Sequence, residues 1–407
     1  MSSRAKSRDL LFRQSDVLLE NARVVHHDRI ETRTLALSNG RVVESTSSKA
    51  IRIDLRDHLI LPGLINAHDH LQLNAIPPLP HREPFGNSYE WIDAFESHLK
   101  EPTVQAAASV PSDVRHRHGG LKNLFAGVTT VAHHDPWHDG FGDPSFPVGL
   151  LREAGWSHSL GLGLPGLDGA PRYGPPVRDS FCATPAEQPW VIHLAEGTDD
   201  VAAGELAELD VLGCLASNTV LVHGVGLTGG NVDRVIECGA SVVWCPASNL
   251  GMLGRTLDPR RLFDAGRLAL GTDSRLTGSR DLLDELRVAA ANCDLTPQEL
   301  LRLVTADASR VLRLPECGGL NDGQNADCVI LRDDGDPHEA LLRATRSSMR
   351  AVVRGGAPVI ADPDLADWFA QCGVDAVEVR LDGQPKLIAR HALCHEAASM
   401  EAGLEIP

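Results

Sequence analysis

The stretch Leu61-Pro62-Gly63-Leu64-Ile65-Asn66-Ala67-His68-Asp69-His70 decides the fold. From Leu59 to Ile65 the chain is apolar apart from one Pro-Gly break, which suits entry into a strand covered on both faces. Side chains alternate along a strand, so His68 and His70 are expected on one side and Asp69 on the other. Two imidazoles on one side of a rigid element can hold one Zn²⁺ or a similar ion. With 18 histidines in the chain, a second His-x-His pair can arise by chance, and His116-Arg117-His118 is such a pair. It lies in a run, 111–125, that reads as a helix, with Asp113 near its start and Val114, Leu121 and Leu124 on one face. Positions i and i+2 diverge on a helix, so His116 and His118 read as members of a solvated face.

The 407 residues around this stretch give room for one large α/β barrel and a small accessory domain. A formal charge of −17 disfavours nucleic acid and anionic membrane as partners, since both need cationic patches. No run approaches the ~20 apolar residues of a membrane span. The basic start, Met1-Ser2-Ser3-Arg4-Ala5-Lys6, precedes an apolar stretch, Leu10-Leu11-Phe12, that is too short for a secretory signal. Nine cysteines without Cys-x-x-Cys spacing read as reduced thiols of a cytoplasmic protein. Cys238, Cys245 and Cys328 lie in apolar runs and are expected as small core residues.

Residues 16–60 read as short strands joined by turns, with Asn39-Gly40 as a hairpin signal. From 62 to about 312 an apolar strand, a polar turn and an amphipathic helix recur. Strands are expected at 127–132, 158–163, 190–194, 219–223, 241–245 and 268–273, with a fourth barrel strand placed at Ser180-Phe181-Cys182. Helices are expected at 200–208, 230–238 and 280–292. Such alternation implies a parallel sheet, and the number of units suits a closed barrel. Strand-like runs return at 326–331 and 349–353 and are expected to complete the N-terminal β unit.

Polar residues close several of these strands. His193 ends Trp190-Val191-Ile192-His193, His223 ends Thr219-Val220-Leu221-Val222-His223, and Asp273 ends Leu268-Ala269-Leu270-Gly271-Thr272-Asp273. A polar group at the end of a buried strand is costly without a partner. The strand ends of a parallel barrel converge on one mouth, so a shared metal site accounts for all of them together with the first His pair.

These stretches resemble the amidohydrolase superfamily, in the branch of cytosine, guanine and S-adenosylhomocysteine-type deaminases and triazine hydrolases. The resemblance also rests on His193-Leu194-Ala195-Glu196, Cys245-Pro246-Ala247-Ser248-Asn249-Leu250 and Gly271-Thr272-Asp273-Ser274. It implies a distorted (β/α)8 TIM barrel with a small β-sandwich built from both chain ends. The expected division is 1–61 and 313–362 for the sandwich, 62–312 for the barrel, and 363–407 as an extension without a legible role. The resemblance further implies one divalent ion, Zn²⁺ ahead of Fe²⁺, held by His68, His70, His193 and Asp273. Glu196, His223 and Asp273 take the positions of proton-handling and catalytic residues. No lysine occurs between Lys122 and Lys386, so none is available mid-barrel to bridge two ions.

The reaction so implied is hydrolytic deamination of a heteroaromatic amine, a small N-heterocyclic substrate. Hydrolysis of a cyclic amide, or of a halogen on a similar ring, is the alternative, and a non-catalytic assembly protein is the distant one. Substrate contacts are expected from Trp91, His133, Asp135, Trp137 and Asn249. The histidine-dense loop Val131-Ala132-His133-His134-Asp135-Pro136-Trp137-His138 leaves substrate contact, a second metal and a purely solvated role all open. Specificity is expected in loops 71–90, 133–142 and 164–178. A homo-oligomer is left open.

Overall fold

The apolar run around Gly63 forms two strands rather than one. In the computed structural model, which describes residues 15–164, 170 and 172–407, His58–Pro62 and Leu64–Asn66 are separate elements. Gly63 N–H donates to Asp327 C=O at 2.8 Å and Leu64 N–H to Gly127 C=O at 3.1 Å, so successive amides serve different sheets. A Cβ at position 63 would lie 2.3 Å from Thr129 Oγ1, so glycine is what permits the crossing. The basic start, the apolar residues 10–12, and positions 165–169 and 171 of the loop 164–178 lie outside the described residues.

His58–Pro62 runs antiparallel to Cys328–Arg332 and parallel to Arg23–Val25. These belong to a nine-stranded sheet that draws on both ends of the chain. The segment 363–407 extends that sheet through Ala376–Leu381, Gln384–Ala389 and Leu404–Glu405. Val17–Glu20, Leu35–Ser38, Arg41–Val43 and Ile51–Asp54 form a separate four-stranded sheet. Its hairpin turns at Asn39 and Gly40, both with positive φ, as a two-residue turn of that composition favours.

Eight parallel strands lie in sheets of three and five. The smaller holds Leu64–Asn66, Val128–Val131 and Gly149–Leu150. The larger runs Gly155–Ser159, Trp190–Leu194, Thr219–His223, Ser241–Trp244, Leu268–Leu270. One seam between the two sheets is bonded. Ala67 N–H donates to Leu270 C=O at 3.1 Å, and Thr272 and Asp273 N–H donate to His68 C=O at 3.1 and 3.0 Å. Asn66 crosses the same seam, accepting from Thr272 N–H at 3.0 Å and donating to Thr272 Oγ1 at 2.8 Å. Alternation then divides each strand between two cores. Val191, Val220, Val222, Val243 and Ala269 join Ile65 and Ala67 in one cluster, whereas Ile192, Leu194, Leu221, Trp244, Leu268 and Leu270 face the larger one.

The structure departs from expectation at three places. The third and fourth parallel strands are Gly149–Leu150 and Gly155–Ser159, and Ser180-Phe181-Cys182 belongs to the helix Val177–Ala183. The expected strand 158–163 ends at Ser159, where the helical turn Leu160–Gly163 begins. Gly155–Ser159 is poor in apolar side chains; its backbone pairing with Trp190–Leu194 holds it as a strand. The helix over 111–125 is present as Ser112–Phe125, but His116 and His118 are 7% and 2% exposed, not solvated. The short helix His395–Ser399 packs on Ser112–Phe125, and Glu401 Oε2 lies 3.0 Å from His118 Nε2. His116 packs its ring against His133, His138 and Phe141. Cys245 and Cys328 are buried and Cys238 half-buried, all as free thiols.

Candidate metal centre

His68 and His70 follow the strand Leu64–Asn66, His193 lies in Trp190–Leu194, and Asp273 follows Leu268–Leu270. Their donor atoms converge. His193 Nε2 lies 3.2 Å from His70 Nε2 and 3.4 Å from His68 Nε2. Asp273 Oδ1 stands 3.7 Å from His68 Nε2 and 3.9 Å from His70 Nε2. Donors at about 2.1 Å from a tetrahedral ion stand about 3.4 Å from one another, so the spacing of this cage of donors would suit one ion.

Bonds at the far ring atoms decide which nitrogen faces inward. His193 Nδ1–H donates to His158 C=O at 2.7 Å, which leaves Nε2 with a bare lone pair. His70 Nδ1 lies 2.7 Å from Asp135 Oδ2, and Asp135 is itself held by Gln72 Nε2 at 2.8 Å and Tyr173 O–H at 3.1 Å. The 3.2 Å contact between His70 Nε2 and the His193 lone pair is satisfied either by a proton on His70 Nε2 or by a metal ion between the two rings. Burial lowers His68 to about 4 and holds His193 well below its ordinary value, so both are neutral donors. Burial opposes charge at His70 as well, but Asp135 outweighs it and lifts His70 to about 9. Positive charge is therefore favoured at His70, and a divalent ion supplies it in place of a proton.

Asp273 accepts from Ser274 N–H at 2.7 Å, Thr277 O–H at 2.7 Å and Ser248 O–H at 2.8 Å. Burial alone would raise its pKa; His68, His70 and His223 hold it well below the usual carboxylate range. Asp69 faces away from the cage. It takes Lys122 Nζ at 3.0 Å, Asn123 Nδ2 at 2.7 Å and Asn74 Nδ2 at 2.9 Å. Lys122 continues to Asp273 C=O at 3.2 Å, which ties the two cage loops from behind.

Beside the cage stands a proton-holding chain. Asn249 Nδ2 donates to Thr256 Oγ1 at 3.2 Å, which turns Asn249 Oδ1 toward His223 Nδ1 at 2.8 Å. An amide oxygen only accepts, so His223 Nδ1 carries the hydrogen. His223 Nε2 lies 3.2 Å from Glu196 Oε1, and that contact needs one proton shared between the two groups. Burial raises Glu196 and Asp273 adds to the rise, against the pull of His223. Ala195, His223 and Asp273 all have positive φ, at 53°, 77° and 54°. Left-handed backbone at residues other than glycine stores strain, and here it marks three strand ends around one site.

The expected substrate contacts are dispersed. Asp135 supports His70, and Asn249 supports His223. His133 is buried with Nδ1 3.2 Å from Asp69 C=O. Trp91 stacks on Phe95 at 4.9 Å, while Trp137 is 42% exposed with the Arg152 guanidinium over its ring. His134 went unassigned, yet its donor atom lies within 4.8 Å of those of His68, His70 and His193. Alternation was the available signal: Ala132 belongs to the inner cluster, and His134 is two residues further on.

The amidohydrolase family model matches residues 183–377. The chain is 25% identical over 348 residues to a 5-methylthioadenosine/S-adenosylhomocysteine deaminase of Haloarcula marismortui, covering 74% of this chain and 79% of that protein. The structure is similar to a zinc-bound adenosine deaminase of Xanthomonas campestris, with a TM-score of 0.68, 22% identity, and coverage of 88% and 97%. It is also similar to a zinc-bound atrazine chlorohydrolase of Arthrobacter aurescens, with a TM-score of 0.69, 20% identity, and coverage of 88% and 99%. The chain is thus similar to amidohydrolases over residues 183–377 and to deaminases over about three quarters of its length. These similarities, with the His-rich group at the strand ends, make it an α/β hydrolase acting on carbon–nitrogen bonds.

Proposed function

We propose that the chain deaminates an amino-substituted N-heterocycle, with His68, His70, His193 and Asp273 holding one divalent ion and Glu196, His223 and Asp273 handling protons. The adenine ring of a nucleoside is the first candidate, because the Haloarcula relative is named for 5-methylthioadenosine and S-adenosylhomocysteine. Three imidazole nitrogens and a carboxylate at near-tetrahedral spacing support zinc. The bonded seam and the two-sided strands support reading 62–312 as a distorted (β/α)8 barrel. The two sheets built from 1–61 and 313–362 are read as a β-sandwich, with 363–407 as its extension.

When bound, the ion supplies an acidified water as nucleophile near neutral pH. Asp273, kept ionised, accepts a proton from that water. His223, with its hydrogen fixed on Nδ1, presents Nε2 to Glu196 and orients it. Glu196 gives its proton to the ring nitrogen as oxygen adds to the carbon bearing the amine. The proton gathered from water then goes to the departing amine and the remaining hydroxyl proton returns to Glu196, so water and aminoheterocycle become oxo-heterocycle and ammonia. The Glu196–His223–Asn249 chain carries this reading, because it holds a transferable proton within 3.2 Å links beside the cage.

Ammonia release from adenosine, 5-methylthioadenosine, guanine and cytosine tests it, with metal content measured in the same sample. Metal-dependent release from at least one of them is expected. Turnover of cyclic amides or chlorotriazines, with no amine released, would replace deamination by the alternative hydrolysis.

A further inference from the structure

A fourth imidazole stands at the cage without a task. His134 follows the strand Val128–Val131 and is 4% exposed. Its ring stacks on His68 at 4.7 Å with 19° between planes, and meets His193 at 4.6 Å and His70 at 5.3 Å. Its Nε2 is buried without a hydrogen-bond partner. An unpartnered buried nitrogen of this kind is costly, so a packing role alone leaves it unexplained. Its far neighbour is Trp156, whose ring is 6.3 Å away and offers no acceptor to compete for it. The donor atoms that surround it are those of His68, His70 and His193, and the four lie within 4.8 Å of one another.

We propose that His134 is an additional protein ligand of the ion, making the donor set four imidazoles and one carboxylate. This inference rests on the reading that His68, His70, His193 and Asp273 hold an ion. A fifth donor opposes strict tetrahedral geometry and favours ions that accept five or six ligands, such as Co²⁺ or Fe²⁺, relative to a site of three imidazoles. The stack on His68 pre-orients the His134 ring, so the donor is in place before the ion arrives.

The test uses chelator-stripped full-length protein titrated with Co²⁺ and with Zn²⁺, reading stoichiometry, affinity and the visible Co²⁺ spectrum. His134→Phe keeps a ring to stack on His68 but has no donor, and His134→Gln covers the case in which Phe does not fold. Wild type is expected to bind one ion and to show the weak bands of a five- or six-coordinate Co²⁺ site. The variants are expected to bind one ion at least ~10-fold more weakly and to shift toward the intense tetrahedral spectrum. Unchanged affinity and spectrum in a folded variant would make His134 a packing residue and overturn the proposal. Two ions per wild-type chain would overturn it equally. A wild type that binds no ion at all would instead remove the cage reading on which it rests.

Discussion

Two His-x-His pairs share this chain, and they are used in different ways. His68 and His70 sit beyond a strand end with ring centroids 4.8 Å apart, and their Nε2 atoms face His193 and Asp273. His116 and His118 sit on the helix Ser112–Phe125 and look to separate neighbours, one to an aromatic cluster and one to Glu401. All four are buried, so burial does not tell a cage from a structural pair. Backbone periodicity does. Residues two apart share a face on extended chain and diverge on a helix.

The largest expected effect breaks the comparison outright. His68→Ala is expected to abolish both ion binding and metal-dependent turnover, whereas His118→Ala keeps the ion. Elemental analysis of both purified variants checks this. Loss of the ion from His118→Ala would show that the two pairs belong to one site.

Next comes the proton chain. Glu196→Gln keeps a hydrogen-bonding group beside His223 but cannot relay a proton. Turnover is expected to fall ~10²–10⁴-fold with metal content unchanged. Steady-state kinetics with metal analysis in the same sample decides it. Full activity would leave Glu196 as no more than a neighbour of the following helix.

A smaller effect sharpens what distinguishes the first pair. Asp135 orients His70 and favours positive charge there, whereas at His116 burial outweighs the weaker pull of the same carboxylate and lowers it to about 3. Asp135→Asn keeps the shape and removes the charge, and ion affinity is expected to fall ~10–100-fold. A chelator-competition titration measures it. Unchanged affinity would assign Asp135 to Tyr173 and Gln72 rather than to the cage.

Much of this was legible because the informative signals are local. Thr219–His223 is an apolar run that ends on its histidine, Leu268–Leu270 leads through Gly271 and Thr272 to Asp273, and each strand lies where its run places it. What was not legible depends on partners distant in sequence. Gly155–Ser159 alternates too weakly to announce a strand and is defined by its neighbour Trp190–Leu194. Gly149–Leu150 is two residues long and has no pattern of its own. His116 and His118 read as solvated because their cover arrives from the 133–142 loop and from Glu401, 283 positions beyond His118. His134 was visible in principle through the alternation from Ala132, but the density of histidines around it masked the period.

The smallest expected effect concerns the second pair alone. Glu401 is buried and accepts from Arg275 Nη1 at 2.8 Å and Nη2 at 2.9 Å, and also from Arg346. His118 is its further partner at 3.0 Å. Burial would raise the Glu401 pKa, yet His118 and Arg275 outweigh it and leave the folded value far below the ordinary 4.5. A depressed carboxylate contributes stability that is fully present above the unfolded pKa and lost as pH falls through the folded one. His118→Ala removes one of several partners, so the folded pKa rises partway and the contribution shrinks without vanishing. Unfolding free energy at neutral pH is expected to fall by about 1–2 kcal/mol, with ion content intact. The deficit relative to wild type is expected to stay constant until pH falls below the variant's own folded value, well under 4.5, and to narrow from there as the folded variant's Glu401 takes up its proton. Urea unfolding of both proteins between neutral and acid pH measures it. A deficit that stays constant down the acid limb would assign the loss to packing of the His118 ring, and the contact with Glu401 would then be incidental.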